Sequence, residues 1–182
     1  MRTYTDSPEP PRLSRLMAIA LLAWIAMVGL DFFLHAGLLA RLYTEPGPFL
    51  LPPSRACALV PLGYLSFLLL ALLILWLARR LGIHGARAGL VFGLQLGAVI
   101  WGAFVLGLAS ISTASPSLLA GWFVGQTLEL GVAGAVVGSG LGRRPMRSLL
   151  LRVLALTVAA FVVTIALQSA GLAPQIRLDA NP

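Results

Sequence analysis

Residues 16–39 read LMAIALLAWIAMVGLDFFLHAGLL. A helix needs about 20 apolar residues to cross a hydrocarbon layer about 30 Å thick, and this stretch supplies them. It also holds two residues that the bilayer rejects, Asp31 and His35, four positions apart. Ionisable side chains are costly inside a span, so they mark a functional position by default.

Four more apolar stretches follow, from Cys57 to Leu77, Ala88 to Ile111, Ser117 to Leu141 and Leu149 to Gly171. The 182 residues are 59% hydrophobic and 10% charged, a balance that excludes an ordinary soluble domain and suits a helical membrane protein. The expected fold is therefore all-α, an integral membrane bundle of five transmembrane helices. Residues 13–172 form its single domain. Residues 1–12, with Asp6, Glu9 and three prolines, read as a disordered cytoplasmic tail, and residues 173–182 as a short external tail. Arg12 and Arg15 before an apolar run also resemble a signal peptide, but the run is long, Asp31 lies in its distal part, and no clean small-x-small site follows at the expected distance.

The net charge of +7 would suggest a nucleic-acid partner in a soluble protein. Here the basic residues, 13 arginines and no lysine, sort by loop. Arg2, Arg12, Arg15, Arg79, Arg80, Arg87, Arg143, Arg144, Arg147 and Arg152 fall on one side of the membrane, and Arg41, Arg55 and Arg177 on the other. Cytoplasmic loops hold the excess of positive charge, which predicts a cytoplasmic amino terminus and an external carboxyl terminus. The expected partner of the arginine belt is the lipid bilayer with its anionic headgroups, and no nucleic acid. The lack of lysine excludes Schiff-base attachment of a cofactor. Cys57, the sole cysteine, excludes an intrachain disulfide and a thiolate metal cluster, and a buried or interfacial inert thiol is expected.

Small residues mark the helices that pack on each other, because lipid tails compete equally for large apolar side chains. Gly89, Gly93 and Gly97 form a ridge on span three, and Gly121 and Gly125 repeat the spacing on span four, so these two spans should touch. Span two is apolar all round and should be peripheral. Tyr43 and Trp76 suit the interfacial aromatic belt, while Trp24 and Trp101 suit packing.

At about 100° per residue, Trp24, Val28, Asp31 and His35 share one face of span one, within about 60°. Gln126 and Glu129 share a face of span four, and Thr157, Thr164 and Gln168 form a stripe on span five. A rise of about 1.5 Å per residue puts Asp31 about 13 Å below the outer surface, with Gln126 at similar depth, Glu129 a few ångströms deeper, and His35 and Gln168 closer to the outer face. Asp31, His35, Gln126, Glu129 and Gln168 are therefore the expected binding residues of a polar site in the outer half of the membrane. Two carboxyl groups close together in a low dielectric do not both ionise, so one of Asp31 and Glu129 should be protonated near neutral pH. Gln95 stands apart, in the inner half and roughly opposite the glycine ridge. The proline-rich segment Thr44 to Ser54 and the hydroxyl-rich segment Ser110 to Ser117 would cover the site from outside.

No zinc-protease motif, second neighbouring histidine, nucleophile elbow or phosphate loop occurs, so no metal, catalytic residue or cofactor is expected. The run Leu30-Asp-Phe-Phe-Leu-His35, the tyrosine and proline loop after it, and Gly121-Trp-Phe-Val-Gly-Gln-Thr-Leu-Glu129 resemble small polytopic inner-membrane proteins of uncharacterised bacterial families. The resemblance covers roughly residues 20–141. It implies a helical bundle in the bacterial cytoplasmic membrane and carries no catalytic or binding residue.

Three roles follow. The first is a multi-pass membrane protein that binds or passes a small solute or protons at the polar site. The second is a structural or assembly subunit, a homo-oligomer or part of a membrane complex, that packs through its glycine-rich spans. The third is an intramembrane metal-dependent hydrolase. A non-enzymatic role stands ahead of an enzymatic one.

Overall fold

The computed structural model describes residues 12–44, 49–142 and 144–174. Most of both expected tails, together with Arg2, Arg143 and Arg177 and residues 45–48 of the proline-rich segment, lies outside the described residues. Helix α1 (Leu13–Phe33) runs on into a π-helical turn (Leu34–Leu38) and a short α2 (Ala40–Thr44). Four long helices follow: α3 (Pro53–Arg80), α4 (Ala86–Ile111), α5 (Pro116–Leu141) and α6 (Met146–Ser169). There is no strand among the described residues. Among the described residues, five helices are long and apolar enough to cross a membrane, within a few residues of the predicted spans.

Proline and serine set several helix starts. Pro116 opens α5, where the N–H it lacks would have no helical partner, and the Ser115 hydroxyl accepts from the Leu118 amide at 3.3 Å. Pro61 lies inside α3, and the helix continues past it.

Helices α1 and α5 are central. Ile19, Ala23 and Met27 of α1 pack with Leu130, Ala133 and Val137 of α5, with Ala71 and Ile74 of α3 and with Val153 of α6. Phe32 of α1 stacks on Phe161 of α6, with ring centroids 4.3 Å apart. Thus α3 is less peripheral than its sequence suggests: Phe67, Ala71, Ile74, Leu75 and Ala78 form a buried stripe. The alanines seven positions apart serve as the small residues of that contact. Trp24 also donates its indole N–H to the Tyr64 carbonyl at 2.7 Å, tying α1 to α3.

Spans three and four touch as predicted. A Cβ on Gly89 or Gly93 of α4 would run into the carbonyls of Gly134 and Leu130 of α5, and one on Gly97 would lie 2.9 Å from the Thr127 Cα. At the head of this seam Gly85, with φ 90°, donates its N–H to the Gly138 carbonyl at 2.7 Å. That positive φ favours glycine, although a Cβ there would meet nothing within 4 Å.

Gly121 and Gly125 do not join this seam. A Cβ on Gly121 would meet Leu42, and one on Gly125 would lie 3.6 Å from His35 Nε2, so these glycines face α2 and the π turn. The reason is angular: Gly125 and Gly134 are nine residues apart, about 180° around the helix, so α5 presents small residues on two opposite sides. At the arginine-rich end, Arg15 donates to the carbonyls of Gly140 and Arg144, both at 3.0 Å, and so holds α1 to the end of α5.

Candidate functional site

The turn that carries His35 is wound more loosely than the helix before it. The Leu39 amide donates to the Leu34 carbonyl at 2.7 Å, a bond spanning five residues where an α-helix spans four. Such turns insert one residue into a helix and recur at functional sites. Here the turn sets His35 beside Gly125, where an added Cβ would lie 3.6 Å from Nε2, in ordinary van der Waals contact.

Four of the predicted residues meet there. His35 Nε2 lies 3.6 Å from Asp31 Oδ1 and 3.5 Å from Glu129 Oε1. The Gln126 amide nitrogen lies 3.4 Å from His35 Nε2 and donates to Glu129 Oε1 at 3.3 Å. Glu129 is 0% exposed and Gln126 5%, whereas the Asp31 and His35 side chains keep 17% each. The pair on α5 forms the closed wall of the cluster, and the pair on α1 and its π turn forms the wall with access. Asp31, His35 and Glu129 each offer one ligand atom, and these atoms all lie within 4.8 Å of one another.

Gln168 does not reach the cluster. Its amide donates to the Ala36 carbonyl at 3.0 Å, inside the π turn. The rest of its stripe faces α1 or its own backbone: Thr157 donates to the Ile25 carbonyl at 3.5 Å, and Thr164 to the Ala160 carbonyl at 2.8 Å. The α6 stripe is therefore a support for α1, because its hydroxyls are too short to pass the helix they pack on.

Two further residues at the site, Tyr43 and Trp122, were not among those expected to form it. The Tyr43 hydroxyl sits in hydrogen-bond contact with His35 Nδ1 and accepts the Trp122 indole N–H at 2.6 Å. Phe49 lies beside Trp122, with ring centroids 5.9 Å apart. Tyr43 thus turns inward onto the site, where its position beyond span one suggested only an interfacial ring. Burial pushes its phenol above the ordinary range, so the hydroxyl keeps its proton. Trp122 was detectable: it falls four residues before Gln126, on the same face of α5 as Gln126 and Glu129.

Two atoms of the cluster, Gln126 Oε1 and Glu129 Oε2, are buried and have no hydrogen-bond partner. The arrangement offers two carboxyl groups, an imidazole and an amide in an apolar surround. Its Trp122–Tyr43–His35 chain allows the imidazole to shift its proton between Nδ1 and Nε2 as its neighbours change. Groups of this kind exchange a proton or coordinate a cation. No protein-family model, curated protein or solved structure matches this chain.

Elsewhere, Cys57 is exposed on α3 and so is not a buried thiol. Gln95 is exposed on α4, while Gly93 and Gly97 on either side of it are buried against α5.

Proposed function

We propose that this chain is a multi-pass protein of the bacterial cytoplasmic membrane that binds a small cation or passes protons at Asp31, His35, Gln126 and Glu129. The arginine bias supports a cytoplasmic amino terminus, and with it a cluster in the outer half of the bilayer. The observation that carries the reading is the pair of unpartnered buried atoms, Gln126 Oε1 and Glu129 Oε2. A polar cluster kept only to lock helices together would satisfy its own groups, since each buried orphan costs about 1–3 kcal/mol. Orphans next to a carboxylate and an imidazole fit a site that awaits a proton or cation.

Reconstitution into vesicles with an imposed pH gradient and an interior pH dye tests the proton arm. Wild type should equilibrate the gradient faster than empty vesicles, and Asp31→Asn should abolish the gain. The lock reading makes the opposite claim for stability. If Glu129→Gln melts at or above the wild-type temperature in detergent, the carboxylate is kept for activity. A large drop in melting temperature together with no proton flux in wild type would overturn the proton reading.

Assembly is a second reading, now favoured by Gln95 and not by the glycine ridge, which α5 already occupies. An exposed amide in a span gains a partner by pairing with another helix. A homo-oligomer that dissociates on Gln95→Leu would support it, and a monomer in both forms would count against it.

A further inference from the structure

We infer that Asp31, His35 and Glu129, with Gln126 at the fourth corner, form a tetrahedral site for a divalent transition-metal ion of zinc's size. The inference rests on reading the cluster as a cation site and names the cation. Nitrogen and oxygen ligands lie about 2.0–2.1 Å from zinc, which in a tetrahedron sets neighbouring ligand atoms about 3.3–3.4 Å apart. Four of the six edges of this cluster are close to that length, His35 to Asp31 at 3.6 Å, His35 to Glu129 at 3.5 Å, His35 to Gln126 at 3.4 Å and Gln126 to Glu129 at 3.3 Å, and the ligand atoms of Asp31, His35 and Glu129 all lie within 4.8 Å of one another.

The second observation is independent of the acidic pair. Gln126 is 5% exposed, its amide end lies against both His35 and Glu129, and its Oε1 has no partner. A half-turn about the last side-chain bond exchanges Oε1 with Nε2 and moves nothing else. That places a carbonyl oxygen at the fourth corner.

Charge and chemistry select the ion. Two carboxylates neutralise a divalent cation, so the loaded site carries no net charge into the apolar interior. The imidazole nitrogen disfavours magnesium and calcium, which take oxygen ligands, and favours zinc and its first-row neighbours. The outer partner of the histidine is present as well. With Nε2 on the metal, Nδ1 carries the proton and donates it to the Tyr43 oxygen, which also accepts from Trp122. Tyr43 is then a positioning residue that fixes the ring. The sequence showed no metal motif because the ligands come from two helices far apart in the chain.

The test uses the full chain in detergent, stripped with a chelator, loaded with zinc, washed, and measured by elemental analysis. Wild type should retain about one zinc per chain. It should also melt higher with zinc but not with magnesium. Cobalt loading should give the visible absorption of a tetrahedral site. Asp31→Asn and Glu129→Gln should each weaken zinc binding at least tenfold, while His84→Ala, in an exposed loop, should leave it unchanged. If wild type retains no zinc and shows no cobalt spectrum, the inference is overturned without any variant having to fold. Equal retention by Glu129→Gln, or loss in His84→Ala, would also overturn it. Proton flux abolished by Asp31→Asn in a protein that binds no zinc would leave the proton reading standing and remove only the metal.

Discussion

Gln168 of α6 donates to the Ala36 carbonyl at 3.0 Å, and so holds the π turn that carries His35 from outside the cluster. The contact gives α6 a part in the site without a side chain in it. In Gln168→Leu the Ala36 carbonyl loses that donor in an apolar surround, at a cost of about 1–3 kcal/mol. The expected result is a lower melting temperature and faster hydrogen exchange at the amide of Leu39, which closes the turn. Exchange unchanged from wild type would show that the turn holds without α6.

The seam between α4 and α5 predicts a contrast between glycines of the same helix. A Cβ on Gly89 or Gly93 would meet backbone carbonyl groups of α5, which cannot swing aside as a side chain can. Gly107, on the same helix, would meet nothing within 4 Å. Gly93→Ala should destabilise by about 1–3 kcal/mol through overpacking. Gly107→Ala should be neutral or stabilising by up to about 1 kcal/mol, since alanine is the better helix former. Equal melting temperatures for the two variants would mean that the seam opens at no cost.

The spans were legible because a bilayer tests composition, and composition is written in the chain. Asp31, His35, Gln126 and Glu129 were legible for the same reason: each is an intrusion into an apolar stretch. The matching of faces was legible only in part. Gly89, Gly93 and Gly97 announce a close contact, but α5 carries glycines on opposite sides, and nothing local says which side meets α4. Tyr43 was hidden by the π turn, because one inserted residue turns all that follows by about 100° relative to a continuous α-helix. Gln168 was expected in the cluster, but its amide bonds to the Ala36 carbonyl of the π turn instead, a contact that helical periodicity alone does not reveal.

Arg15 anchors the opposite end of the bundle. Its guanidinium donates to the carbonyls of Gly140 and Arg144, at and beyond the last turn of α5, where backbone oxygens lack helical partners. Charge-assisted bonds of this kind are worth about 1.5–3 kcal/mol. Arg15→Ala should lower the melting temperature, and Arg15→Lys should recover only part of the loss, because an ammonium lacks the planar fork that spans two acceptors. Full recovery by lysine would assign the effect to charge at the membrane surface and not to the two carbonyls.

Among the described residues the Tyr43 hydroxyl links Trp122 to His35, and this makes the two aromatic residues non-additive. Tyr43→Phe keeps the ring and removes the oxygen, leaving the Trp122 N–H and His35 Nδ1 both without this partner. Trp122→Phe removes the indole N–H and loses packing, but leaves Tyr43 with His35. Once the hydroxyl is gone, the indole N–H has no bond left to lose, so Trp122→Phe should cost less in a Tyr43→Phe background than in wild type. The difference should be about 1 kcal/mol, the ordinary net value of a hydrogen bond, read from melting curves of the four forms. Strict additivity would mean that the chain from Trp122 through Tyr43 carries no energy, and that His35 is held by Gly125 and the carboxyl groups alone.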